Sequence, residues 1–246
     1  MIELQHISVT FGKREILNDI CADIAEGRIT AVMGPNGCGK TTLLRCIGGL
    51  LEPNGGQVVI DGHKVQDFSA RTLARQVAFV RQQAQTDFEF SAFETVLMGR
   101  NPYQKRLQNE SQKDWDIVEQ CMRQTGIWHL RLAKPGEMSG GEMQRVMIAR
   151  ALAQQTPVLL MDEPVSNLDI AHQLEIMRLL QNAGKSVVIV IHDLNLALQF
   201  CDDLLLFHEG RLLYRGPMAE GLTPENIKTV YGVETHMVEG RIVFDY

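Results

Sequence analysis

Gly34-Pro35-Asn36-Gly37-Cys38-Gly39-Lys40-Thr41 places three glycines, a lysine and a hydroxyl within eight residues. It matches G-x-x-x-x-G-K-[ST], directly after the apolar run "RITAVM" and at the start of a helical pattern continuing through Thr42. Backbone N–H groups in such a turn converge on an anion, and the following helix adds positive potential. Lys40 supplies a point charge for β- and γ-phosphate oxygens, and Thr41 offers a hydroxyl to Mg²⁺. These residues predict a nucleoside triphosphate site. The thiol of Cys38, beside Lys40 and a helix N-terminus, is expected to have a lowered pKa and to react readily.

A second set of groups fits the same chemistry. "VLLMDEP" (158–164) ends an apolar strand in two carboxylates. Asp162 is placed to hold Mg²⁺ through a water, and Glu163 to polarise an attacking water. His192 closes "VVIVIHD", and Gln82 follows "VAFVR". All of these come from the carboxyl ends of predicted strands, the edge at which α/β sheets bind ligands. "MSGGE" (138–142) is the remaining feature. Ser139 and Glu142 have the spacing of a capping box. A cap does not explain Gly140 and Gly141, which weaken a helix's first turn by about 1 kcal/mol each relative to alanine. Bare backbone at a helix start is useful where something negative must approach closely.

The elements that must position these residues are short. Strands are predicted at 28–34, 57–62, 76–80, 157–163 and 185–193, with helical patterns between them. Runs 158–161 and 187–191 are apolar without alternation, as in parallel strands covered on both faces. The fold class is therefore α/β, a phosphate-loop NTPase core with a mostly parallel sheet. Residues 1–86 and 156–246 are assigned to the core, and 87–155 to an inserted helical subdomain, with Trp115, Val118 and Met122 on one helix face. A net charge of −6 argues against a nucleic-acid partner. Five cysteines with no C-x-x-C pair fit reduced thiols rather than a disulfide framework. The N-terminus carries charges every few residues, unlike a signal peptide, and no apolar stretch approaches the roughly 20 residues of a membrane span.

Taken together, the motifs resemble the ATP-binding cassette of ABC transporters over nearly the whole chain. The resemblance implies an antiparallel β edge and a Mg-dependent ATPase with ATP and Mg²⁺ as cofactors. It also implies a head-to-tail homodimer in which Ser139, Gly140 and Gly141 of one copy close over ATP held by Gly34 to Thr42 of the other. Phe11 matches the aromatic that stacks on adenine. Gln82 matches the loop that senses Mg²⁺ and the attacking water, and His192 the switch that contacts the γ-phosphate. Asp169, in "SNLD", matches the acid of the segment linking the two sites. Met138 replaces the usual Leu and Glu142 the usual Gln. "MGRNPY" (98–103) and the C-terminal stretch are similar to importers of iron chelates, haem or cobalamin. That group works with two transmembrane permease subunits and, indirectly, a periplasmic or lipid-anchored binding protein, at the cytoplasmic face of the membrane. Phe88 to Tyr103 is expected to line the permease groove, with Arg100 pairing a partner group. A soluble ABC-type ATPase, as in iron–sulfur assembly, and an exporter ATPase remain the alternatives.

Overall fold

Strand and helix alternate along the computed structural model, which describes residues 1–81, 90–104, 111–166 and 168–245. The chain begins with β1 (Ile2–Phe11), β2 (Arg14–Ile24), β3 (Ile29–Met33), α1 (Lys40–Ile47), β4 (Gly55–Ile60) and β5 (His63–Lys64). It continues through α2 (Ala70–Leu73), β6 (Val77–Val80), α3 (Ala92–Leu97), α4 (Gln112–Gln124), α5 (Gly140–Ala153), β7 (Val158–Asp162) and α6 (Ile170–Gln181). It ends with β8 (Ser186–Val190), α7 (Leu194–Phe200), β9 (Asp203–His208), β10 (Arg211–Pro217), α8 (Met218–Gly221), α9 (Pro224–Tyr231), β11 (Thr235–Val238) and β12 (Arg241–Phe244). These elements form two compact units, Met1–Phe68 with Gly184–Tyr246, and Ser69–Ala183. No helix among the described residues is long and apolar enough to cross a membrane.

In the first unit, β3 lies parallel to both β8 and β9. Every residue of β3 and of β8 is buried, the reason neither run alternates. β10 adds to β9 in antiparallel fashion and does alternate, as an edge strand with one wet face should. A separate antiparallel sheet joins β1 to β2 and β4. Its inward residues are Ile2, Leu4, Ile7 and Val9 on β1, and Leu17, Ile20, Ala22 and Ile24 on β2. The three-residue steps from Leu4 to Ile7 and from Leu17 to Ile20 break the period of two. The strands absorb these steps as register shifts.

In the second unit, β6 and β7 pair in parallel, Val77 opposite Val158 and Val80 opposite Met161. Helices α3, α4 and α5 intervene in sequence between those two strands and pack on one another. Each opens with a reciprocal box: Ser91 with Glu94, Ser111 with Asp114, Ser139 with Glu142. A box satisfies two orphan donors, and losing its cap costs about 1 kcal/mol. The buried face of α4 is Ile117, Val118, Cys121 and Met122. Trp115 does not complete that face; it stays 49% exposed, with its ring edge-on to Phe93 at 5.3 Å.

Arg100 also departs from expectation. It is 4% exposed and points inward. Its guanidinium donates to Asp114 Oδ1 at 2.8 Å, to the Ala153 carbonyl at 2.7 Å and to Gln155 Oε1 at 3.1 Å, and lies over the Tyr103 ring at 4.2 Å. Gly99 makes this possible, since a Cβ there would meet the Arg150 carbonyl at 2.3 Å. Arg100 is thus committed to its own unit and is not available to a partner. Burial opposes ionisation of Asp114, but hydrogen bonds from Arg100 and Ser111 outweigh it and hold the carboxyl below its ordinary range. Arg100→Ala should cost about 3 kcal/mol in urea unfolding, because it takes the charged donor from a half-buried carboxylate and from a buried carbonyl. The contribution of Asp114 should be complete above its unfolded pKa near ~3.9 and fade as pH falls through the lower folded value. A loss under about 1 kcal/mol at neutral pH would contradict this account.

Candidate active site

The loop after β3 is shaped by glycines that nothing else could replace. Gly34 has φ +144, and a Cβ on it would meet the Phe207 carbonyl oxygen at 2.6 Å. Gly39 has φ +104, and a Cβ there would meet Leu17 Cδ2 at 2.5 Å and the Ile16 carbonyl at 3.0 Å. The loop is thus walled by β2 and β9 of the same unit. Its crown, Asn36 and Gly37, is exposed, while Lys40 is buried at its base. Lys40 Nζ donates to the carbonyls of Gly34 and Pro35, both at 2.8 Å, which fixes its charge inside the curl. α1 begins at Lys40 with Gly39 as N-cap, no side-chain cap and no acid in the first turn. Thr41 and Thr42 stand half-buried in that turn. Such a set of N–H groups with a fixed cation suits a polyphosphate, and it would repel no part of one.

His192 belongs to the same unit. It follows β8, whose Val190 is level with Val32 of β3, so His192 and Gly34 leave adjacent parallel strands at the same end. The His192 side chain is exposed. Phe11 ends β1 beside a tight turn in which Gly12 takes φ 61, and its ring is 53% exposed.

The second unit presents the carboxylates and the serine–glycine helix. Asp162 is the buried last residue of β7. Glu163, next to it, is half-buried with φ 50, a left-handed conformation uncommon for a non-glycine residue. Gln82 lies outside the described residues, as does Phe88. Ser139 caps α5: its Oγ accepts from Glu142 N at 3.3 Å, while Glu142 Oε2 accepts from Ser139 N at 2.7 Å and from Oγ at 2.8 Å. Those bonds, with Arg145 and His129 nearby, hold the Glu142 carboxyl below its ordinary range. Gly140 is exposed, and a Cβ on it would meet nothing within 4 Å. Nothing among the described residues requires that glycine.

A family model described as ABC transporter matches residues 17–166. The chain belongs to the ABC transporter family. It is 38% identical over 249 residues to the hemin import ATP-binding protein of Bordetella avium, covering 96% of this chain and 94% of that one. It is 34% identical over 239 residues to the ferric enterobactin transport ATP-binding protein of Escherichia coli, covering 96% and 88%. Among solved structures it resembles a dimeric ATP-binding cassette in a post-hydrolysis state bound to ADP and Pi, with TM-score 0.80, 30% identity, and coverage of 89% and 99%. It is an ATPase cassette of this family, and it binds adenine nucleotide.

Within that family frame, two placements matter. Asp169 caps α6, accepting from His172 N at 2.9 Å and pairing with His172 Nδ1 at 2.8 Å; its side chain stays exposed. Ile170, next to it, is one of the most exposed apolar residues described. Cys38 corrects an expectation. Burial pushes its thiol up, and the charge of Lys40 and the loop N–H groups only partly offset that. The glycine-lined curl that concentrates N–H groups also excludes the water a thiolate needs.

The walls of the loop escaped the sequence reading. Ile16, Leu17 and Phe207 look like ordinary core residues, and no local signal ties them to a phosphate loop. Gly34→Ala should therefore be severe, with steric and backbone strain of about 1–3 kcal/mol and loss of nucleotide binding. Nucleotide titration and thermal unfolding of the same variant check it; near-wild-type behaviour in both would show that the Phe207 contact yields easily.

Proposed function

We propose that this chain is the ATP-hydrolysing subunit of an ABC importer. In this reading it works as a head-to-tail homodimer on two permease subunits at the cytoplasmic face of the membrane. The cargo is an iron chelate, haem or a cobalamin-like molecule, delivered by a separate binding protein. The observation that carries the chemistry is the buried Lys40 held inside a glycine loop at the start of an uncapped helix. The cargo class rests on relatives named for hemin import and ferric enterobactin transport.

In hydrolysis, Lys40 and the N–H groups from Gly34 to Thr42 hold the β- and γ-phosphate oxygens, with Phe11 against the adenine. Thr41, Gln82 and Asp162 are the oxygen donors that would hold a hard dication such as Mg²⁺, which would supply charge neutralisation on the phosphates. Glu163 takes a proton from the attacking water. The bond from that oxygen to the γ-phosphorus forms as the bond to the bridging oxygen breaks, and ADP leaves. His192 donates to the γ-phosphate. Ser139, Gly140 and Gly141 come from the second copy, with Asp169 lying between the two sites. That arrangement accounts for a Cβ on Gly140 meeting nothing among the described residues. Ser139 Oγ already donates to Glu142, so engaging a phosphate requires an exchange of hydrogen bonds. With Arg100 buried, the permease surface rests on exposed groups such as Phe90.

Glu163→Gln should reduce ATP turnover at least about a hundredfold while leaving ATP affinity intact and stabilising an ATP-bound dimer. Steady-state hydrolysis, nucleotide titration and light scattering check the three parts. Turnover within about tenfold of wild type, a barrier change near 1.4 kcal/mol, would remove Glu163 from the role of base.

A further inference from the structure

Three potential metal donors meet on the β1–β2 hairpin, outside every nucleotide motif. His6 Nδ1 lies 2.7 Å from Asp19 Oδ1 and 3.4 Å from Cys21 Sγ. The donor atoms of all three residues lie within 4.8 Å of one another. Two of the three register shifts of this hairpin bring them together. Between Leu4 and Ile7, β1 carries one residue more than its partner, and between Ile7 and Val9 the extra residue is on β2. His6 sits in the first shift with φ 54 and Asp19 in the second with φ 53. The displaced backbone is tied down locally, His6 N to Cys21 Sγ at 3.3 Å and Asp19 N to Ser8 Oγ at 3.2 Å.

A surface ion pair does not account for this construction. The His6–Asp19 pair is exposed, 76% and 66% at the two side chains. Such pairs stabilise little in water, whereas left-handed backbone at two non-glycine residues is costly. Bulges commonly re-aim side chains toward a site. We propose that His6, Asp19 and Cys21 form a binding site for a zinc-class transition-metal dication. The donor set is one imidazole nitrogen, one thiolate sulfur and one carboxylate oxygen. Sulfur and imidazole select such an ion over Mg²⁺ or Ca²⁺.

The distances fit that reading. Tetrahedral zinc, with bonds of about 2.0 Å to nitrogen or oxygen and 2.3 Å to sulfur, separates nitrogen from sulfur by about 3.5 Å. The His6–Cys21 separation is already at that value. Nitrogen and oxygen ligands would stand about 3.3 Å apart, so the His6–Asp19 hydrogen bond opens by roughly half an ångström as its proton is displaced. The N–H donated by His6 to Cys21 sulfur becomes a hydrogen bond to a thiolate, which stabilises the bound form. A groove of about 470 Å³ is lined by Asp19, Cys21, Arg211, Tyr214 and Arg215. It leaves room for water as a fourth ligand.

Cys21 is the one cysteine of the five that is not buried, which makes the test clean. The full-length protein, stripped with chelator and kept free of nucleotide, is titrated with Co²⁺ and then Zn²⁺. The expected result is one Co²⁺ per chain with a thiolate-to-cobalt band in the near ultraviolet, bleached by Zn²⁺. Cys21→Ser should abolish the band, and His6→Ala should weaken binding at least about tenfold. In the unmutated protein, Zn²⁺ should slow thiol labelling of Cys21 at least about tenfold, a readout that needs no variant. Absence of the band together with unchanged labelling, or a band of full strength in His6→Ala, would overturn the site.

Discussion

A polyphosphate can be gripped only where several backbone N–H groups converge and no side chain intrudes. That requirement governs the loop from Gly34 to Thr42. Gly34 and Gly39 hold conformations and clearances closed to any residue with a Cβ. The walls enforcing those clearances are Phe207 of β9 and Ile16–Leu17 of β2. The parallel pairing of β3 with β8 and β9 therefore serves more than burial. It fixes the surface against which the loop is folded and sets His192 at the same strand end.

The second unit applies the same physics differently. The box of Ser139 and Glu142 satisfies the first donors of α5 within the chain, yet Gly140 stays bare where alanine would fit and would favour the helix. In the proposed function, that local stability is given up for an open approach to backbone. The departure of Glu142 from the family's usual glutamine adds a carboxylate held ionised by Ser139 at the point of approach. In the proposed closure over a γ-phosphate, that charge would have to be accommodated, which makes Glu142 a natural place to look for an altered rate.

Much of this was legible because the chemistry is local. The phosphate loop, the Asp162–Glu163 pair and the Ser139 cap are contiguous motifs, and β7 and β8 declare themselves as unbroken apolar runs. Long-range effects were not legible. Arg100 reads as a surface cation until Asp114, Ala153 and Gln155 close around it from other elements. Trp115 has the spacing of a core residue, but α4 turns it to the margin against Phe93. Cys38 has a cation beside it in sequence, and burial outweighs that cation. The bulges at His6 and Asp19 left a trace, the three-residue steps between inward residues on β1 and β2. That trace has meaning only once the two strands are known to pair.

The central claim is that the serine–glycine helix of one copy completes the phosphate site of another. Mixing a Lys40→Ala subunit with a Ser139→Arg subunit tests it directly, because each parent homodimer lacks one half of both sites. If the sites are shared, both parents are inactive and an equal mixture recovers about a quarter of the wild-type ATPase rate. Half of randomly assorted dimers are then mixed, and each carries one intact site. A mixture as inactive as its parents, with mixed dimers verified by native mass, would contradict the account, as would full activity from Ser139→Arg alone.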